Sequence, residues 1–317
     1  MKFNNILSGL VSHLFFLHGN PASKRLLRKV RNFSGKHTFV DRGRSSPNLL
    51  LILAGYKKEL WPYTLTRIAK SVPESMDVCL VVPGADISEL GAIAEQHGWS
   101  LLHTRANKLS LAQNLAITHH PQARWIYKLD EDIFVGKDYF QGLNECWKQA
   151  EEEGRFDIGI VAPLLNVNGY SSRILLEETG KTKQFEDLFG TAKQACFDTP
   201  FWREPRAAEF LWDLCKPFDQ VADRFFQGKR VYSACPFRFS IGAYMMQRTF
   251  WDSMQGFSVA RHAELGSDEV DLCAACHHES KAIIVCHYVL AGHFGFGPQN
   301  QHMFGLLPTR NDLSWSE

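Results

Sequence analysis

The sequence is short of several things that would each fix a class. The apolar stretch near its start, "ILSGLVSHLFFL" (residues 6–17), falls short of the roughly 20 residues that a bilayer-spanning helix needs. A secretory signal would put its charge before the apolar run and a small-residue cleavage site after it. Here Lys2 precedes the run and the basic residues follow it. The eight cysteines are spread along 317 residues, which is not the dense pattern of a small disulfide-stapled domain, so a reducing, cytoplasmic setting is expected. No glycine-rich phosphate loop with a following lysine stands near the N-terminus, which counts against a nucleotidyltransferase. There is no internal repeat and no low-complexity tract. No reader motif accompanies the basic residues, so nucleic acid is not the expected partner.

What is present has globular composition, 45% hydrophobic and 22% charged, enough for one large domain or two small ones. The net charge of +1 hides an asymmetry. Residues 21–45 hold eight Lys or Arg against Asp41 alone. With the apolar stretch before them, residues 1–46 read as a peripheral anchor, an apolar helix in the interface with its basic residues facing an anionic membrane surface. The other reading is a core helix followed by a solvated basic linker. One local pattern, "CAACHH" (residues 273–278), contains the C-x-x-C-H spacing of covalent haem attachment. Without an export signal or a second Cys pair, Cys273 and Cys276 are expected to be ordinary helix residues.

Short apolar runs ended by Gly, Pro or charge mark buried strands at 48–56, 77–84, 100–103 and 124–129. Helical periodicity lies between them in "ELWPYTLTRIAKSV" and "DISELGAIAEQHG". Strand and helix in alternation predict parallel pairing with right-handed crossovers, hence an α/β layered fold. Ligands of such sheets collect at the carboxyl ends of the strands. At one of those ends stand Asp130, Glu131 and Asp132. Side chains at i and i+2 of a strand share a face, so Asp130 and Asp132 can converge while Glu131 points elsewhere. Two converging carboxylates repel unless a cation sits with them, and a hard divalent ion shared with a diphosphate resolves the conflict. For a bare D-x-D, an acidic turn in solvent is the better explanation, since short motifs recur by chance.

The surrounding residues resemble a known family. "NKLSLAQNLAITHHPQARWIYKLDEDIFV" (107–135) is similar to the helix, strand and D-x-D region of GT-A fold glycosyltransferases, especially the large, bacterial-type family 2. "LLLILAGYKKELWPYTLTRI" resembles that family's opening, and "FSIGAYMMQRTFWDSMQGF" followed by "GSDEVDLCAAC" resembles its later acidic segment. The resemblance covers residues 48–135 and 238–297. It implies a single mixed, mostly parallel sheet flanked by helices, with a GT-A domain over 47–305 divided near 163 and 164 into nucleotide and acceptor halves, and a tail at 306–317. It implies an enzyme that moves a sugar from a nucleotide sugar, a UDP-sugar being the expectation, to a hydroxyl of a saccharide or lipid-linked acceptor, with inversion, in surface polysaccharide or glycolipid synthesis. Tyr56, Asp86, Asn107, Asn114 and Asp130 would serve the nucleotide, and Asp130, Asp132 and His293 the metal. The cofactor would be Mn²⁺ or Mg²⁺, and a histidine ligand favours Mn²⁺. Glu269 takes the place of the family's general base. The sequence reads Asp268-Glu269 where Glu-Asp is usual, so Asp268 stands as a rival. The alternative is a nucleotidyltransferase or a non-catalytic sugar- or nucleotide-binding protein on the same fold. Residues 164–237 match nothing assignable and are expected to shape the acceptor pocket. Their aromatic residues, Phe201, Trp202, Phe210, Trp212, Phe225 and Phe226, are expected in the core.

Overall fold

The structure, a computed structural model, describes residues 30–260, 266–295 and 297–315. In chain order it runs β1 (His37–Val40), β2 (Asn48–Leu53), α1 (Trp61–Ser71), β3 (Asp77–Pro83), α2 (Ser88–Gln96), β4 (Ser100–Thr104), α3 (Leu109–His119), β5 (Trp125–Asp130) and β6 (Ile133–Val135). It continues with α4 (Tyr139–Glu153), β7 (Ile158–Leu165), α5 (Ser171–Glu178), α6 (Thr182–Phe189), α7 (Pro205–Asp213), α8 (Phe218–Phe226) and β8 (Tyr232–Cys235). Then come β9 (Ala243–Gln247), α9 (Arg248–Ser253), α10 (Ser267–His278), β10 (Ala282–His293) and α11 (Asn300–Leu306).

One ten-stranded sheet carries the order β1-β4-β3-β2-β5-β9-β7-β10-β6, with β8 paired to β10. The four strands expected from the sequence pair in parallel, β4 to β3, β3 to β2 and β2 to β5. Leu49 to Ile52 and Cys79 to Val82 are fully buried, as continuous apolar runs in a sheet covered on both faces must be. Beyond β5 the sheet becomes mixed: β9 is antiparallel to both β5 and β7, and β7 is parallel to β10. A single mixed sheet flanked by helices is therefore what the chain forms.

Two expected boundaries shift. β1 lies inside the segment assigned to an anchor, yet it pairs antiparallel with β4, and Asn32 is fully buried against the residues after α9. The folded unit thus begins well before residue 47; the apolar stretch at 6–17 lies outside the described residues. The C-terminal tail also belongs to the core. Arg67 of α1, completely buried, donates to the carbonyls of Leu313 and Ser314 and pairs with Asp219 of α8. A buried guanidinium requires such partners, and the tail supplies two of them. No helix among the described residues is long and apolar enough to cross a membrane. Cys273 and Cys276 lie on α10, and burial pushes both thiols up to about 12.

Candidate active site

The carboxyl ends of β2 and β5 open on a cavity of about 510 Å³. Three separate segments bring Asp130, Asp132, Asp268, Glu269 and His293 to its wall. The cause is pairing: β6 follows the acidic triplet at once and lies antiparallel to the end of β10, with His293 opposite Ile133. The amide of Phe294 donates to the carbonyl of Asp132 at 3.0 Å, so the two chain segments are fixed side by side.

The triplet divides its work. Glu131 turns away from its neighbours, as alternation predicts. Its carboxylate accepts from the amides of Gly55 and Tyr56, both at 2.9 Å, and from the indole of Trp61 at 2.5 Å. It thereby holds the loop between β2 and α1. Asp132 is buried and accepts from the Lys57 ammonium, with His293 Nε2 3.3 Å from the same carboxylate oxygen. Burial opposes ionisation of Asp132, but Lys57 and His293 overcome it and hold its carboxyl well below the usual range. Asp130 pairs with Lys128 at 2.7 Å. Burial nevertheless pushes the Asp130 carboxyl up, with the charge of Asp132 adding to it. Lys128 is itself buried and donates to the carbonyl of Ile241 at 2.9 Å.

His293 is oriented from behind. Its amide donates to Asn166 at 2.8 Å, and its Nδ1 lies 3.2 Å from the carbonyl of Val167. Trp212 donates to its carbonyl at 2.9 Å, and the same indole lies against Gly292, where any Cβ would collide. In the tautomer whose Nδ1–H donates to the Val167 carbonyl, the Nε2 lone pair faces the Asp132 carboxylate; in the other, Nε2–H donates to it. Two acceptors facing one another need a proton or a cation between them, and outer-sphere orientation of this kind is typical of a metal-ligating histidine. Asp132 and His293 therefore fit a divalent ion as a pair. Among the described residues no three His, Cys, Asp or Glu side chains gather into a metal-binding group. Asp130, the expected third member, pairs with Lys128.

Across the cavity, α10 begins with the second acidic cluster. Asp268 is buried and its Oδ2 accepts from Gln113 of α3 at 2.8 Å. Glu269 has both oxygens engaged, one by Arg238 at 2.5 Å and the other by the amide of Ile241 at 3.3 Å. Cys196, Phe197 and Trp202 complete this side of the wall. They come from the segment that matched nothing assignable. Trp202 is thus not simply core, whereas Phe201 and Trp212 are.

Tyr56 stands at the cavity, half exposed, its hydroxyl donating to the carbonyl of Pro83 at 2.7 Å. Asp130 is on the same wall, whereas Asp86, Asn107 and Asn114 lie elsewhere. Asp86 is exposed and spends its carboxylate on the amide and hydroxyl of Ser88, the first residue of α2. Asn107 is exposed and packs its backbone against Gly84, which adopts a positive φ of 70°. Asn114 is wholly buried; its amide donates to the carbonyls of Asn32 and Phe257 and accepts from the Phe257 amide and the Trp251 indole. It is a cross-link of the fold, not a wall of the cavity. Sequence reasoning missed Lys57, Lys128 and Arg238. Lys128 was readable, since it stands two residues before Asp130 on one strand and so shares its face.

No protein-family model matches this chain, and no curated protein matches it in sequence. Similar solved structures include the mannosyltransferase PcManGT from Pyrobaculum calidifontis in complex with GDP-Man and Mn²⁺. It has 14% identity and a TM-score of 0.48, over 91% of this chain and 66% of that one. GalNAc-T7 with UDP, GalNAc and Mn²⁺ is similar at 12% identity and a TM-score of 0.48, over 80% of this chain and 44% of that one. The chain spans less than two thirds of either structure's length.

Proposed function

We propose that this protein is a metal-dependent glycosyltransferase that takes a sugar from a nucleoside diphosphate and passes it to a hydroxyl acceptor. The observation that carries this reading is the convergence of Asp132 and His293 with Asp268 and Glu269 on one cavity at the carboxyl ends of parallel strands. The D-x-D resemblance and the two similar structures agree with it, but the reading rests on the cavity.

Asp132 and His293 would hold the divalent ion, which would supply positive charge to offset the charge developing on the departing diphosphate. Lys57 and Lys128 add positive charge to the same wall, beside the carboxylates that would carry the ion and its diphosphate. Tyr56 lies where it can cover the base or ribose. A carboxylate at the start of α10 takes the proton from the attacking hydroxyl. Both oxygens of Glu269 are committed, while Asp268 is bonded through Oδ2 alone, so Asp268 is the better-placed base and Glu269 the holder of Arg238. The second reading keeps Glu269 as base, which requires the acceptor to displace Arg238. Attack opposite the leaving group from a single base gives inversion.

A screen of nucleotide sugars for slow transfer to water in the presence of Mn²⁺ tests the proposal. Hydrolysis of one donor, lost in Asp132→Ala, is the expected result. No hydrolysis and no Mn²⁺-dependent binding of any nucleoside diphosphate would contradict it.

A further inference from the structure

Lys57 is the residue whose position asks most of the site. Its ammonium lies on the same Asp132 oxygen that His293 Nε2 faces, and it also donates to the carbonyl of Gly295 at 2.8 Å. The Lys57 side chain is about one-fifth exposed and lines the cavity. The backbone that delivers it is fixed, since the two preceding amides are clamped by Glu131. The four-carbon stem is not fixed and can swing. A divalent ion on Asp132 would share its oxygen with a neighbouring ammonium, and like charges at such separations repel. Ion and ammonium therefore cannot both keep that oxygen. The cavity is the open direction for Lys57, and it is also where a diphosphate bridged to the ion must lie.

We propose that Lys57 and the divalent ion are alternative cations of Asp132: Lys57 closes the empty site, and arrival of metal with diphosphate moves it from the carboxylate to the phosphate oxygens. The inference rests on the metal-binding reading above. It makes metal and nucleotide binding mutually dependent, because metal alone must displace an ion pair while metal with diphosphate offers the displaced ammonium a new anion.

The test is Mn²⁺ binding by the full chain, read from the electron paramagnetic resonance signal of free Mn²⁺, with and without GDP or UDP. In the natural protein, the diphosphate should tighten Mn²⁺ binding by about tenfold or more, a typical coupling between sites. Lys57→Met should tighten Mn²⁺ binding in the absence of nucleotide by about tenfold. It should also weaken diphosphate binding at saturating Mn²⁺ and remove most of the coupling. Lys57→Arg, which keeps the charge, should bind Mn²⁺ as weakly as the natural protein and controls for folding. Unchanged or weaker Mn²⁺ binding in folded Lys57→Met, with Asp132→Asn still abolishing it, would overturn the exchange and leave the metal site standing. Mn²⁺ binding that survives Asp132→Asn would overturn both.

Discussion

The acidic triplet after β5 and the acidic turn that opens α10 face each other across one cavity and divide their carboxylates alike. In each, one residue holds a loop. Glu131 takes the amides of Gly55 and Tyr56, and Asp271 takes the amide of Ser258. In each, one pairs with a cation from outside its own segment, Asp132 with Lys57 and Glu269 with Arg238. The remaining residues separate them. Asp130 is held by Lys128 on its own strand, whereas Asp268 meets only a neutral amide. A cluster packed with lysines suits an anionic ligand, and a carboxylate without a formal counter-cation in bonding contact suits proton transfer. The lesson is that acidic runs in a sequence are not uniform; loop-holding and chemistry alternate within them.

That contrast can be broken in order of expected effect. Asp132→Ala should lower transfer by about 10³ or more, as loss of an electrostatic anchor worth several kcal/mol requires, measured as kcat on the donor found by the screen. Asp268→Asn should lower kcat by on the order of 10² to 10⁴ while leaving binding of GDP or UDP intact. Glu269→Gln should cost less in kcat and appear mainly in the KM for acceptor; the reverse ranking would return the base to Glu269. Glu131→Ala leaves the buried Trp61 indole and two part-buried backbone amides without their acceptor, and chemical denaturation should show a loss of about 2 to 3 kcal/mol. Asn114→Ala should destabilise by about 2 kcal/mol and leave nucleotide affinity unchanged, which would confirm its place as a cross-link. The smallest effect concerns Cys196, the one cysteine that is not buried. Burial raises its thiol, with Glu269 adding to the shift. The thiolate is the reactive form, so maleimide labelling of native protein should fall on Cys196 alone, quicken as pH rises and slow when Mn²⁺ and nucleotide are bound.

The sequence made the parallel half of the sheet readable because its strands are buried on both faces and need uninterrupted apolar runs. β2, β3, β4 and β5 came out within a few residues of their observed ends. The antiparallel half was not read as strands. β9 and β10 depend on partners far along the chain, β5 and β7 for β9 and β6, β7 and β8 for β10, and β10 changes register along its length between Cys286 and Leu290. The cavity wall was legible where carboxylates are concentrated in a motif, at Asp130 to Asp132 and Asp268 to Glu269. The role of Asn114 was not legible. A buried asparagine that satisfies a loop and one that binds a ligand look the same in a sequence, and only the partners Asn32, Trp251 and Phe257 distinguish them. Lys57 was hidden for the opposite reason: a lysine in a loop is ordinarily solvated, and its burial follows from contact with Gly295, far along the chain.

The central claim is that Asp132 and His293 grip a divalent ion that grips a diphosphate. Calorimetric titration of GDP and UDP into the protein, with Mn²⁺ and after its removal by chelator, tests it most directly. Binding of at least one nucleotide that requires Mn²⁺ and disappears in both Asp132→Ala and His293→Ala is predicted. Equal binding with and without the metal, or binding untouched by either substitution, would contradict it.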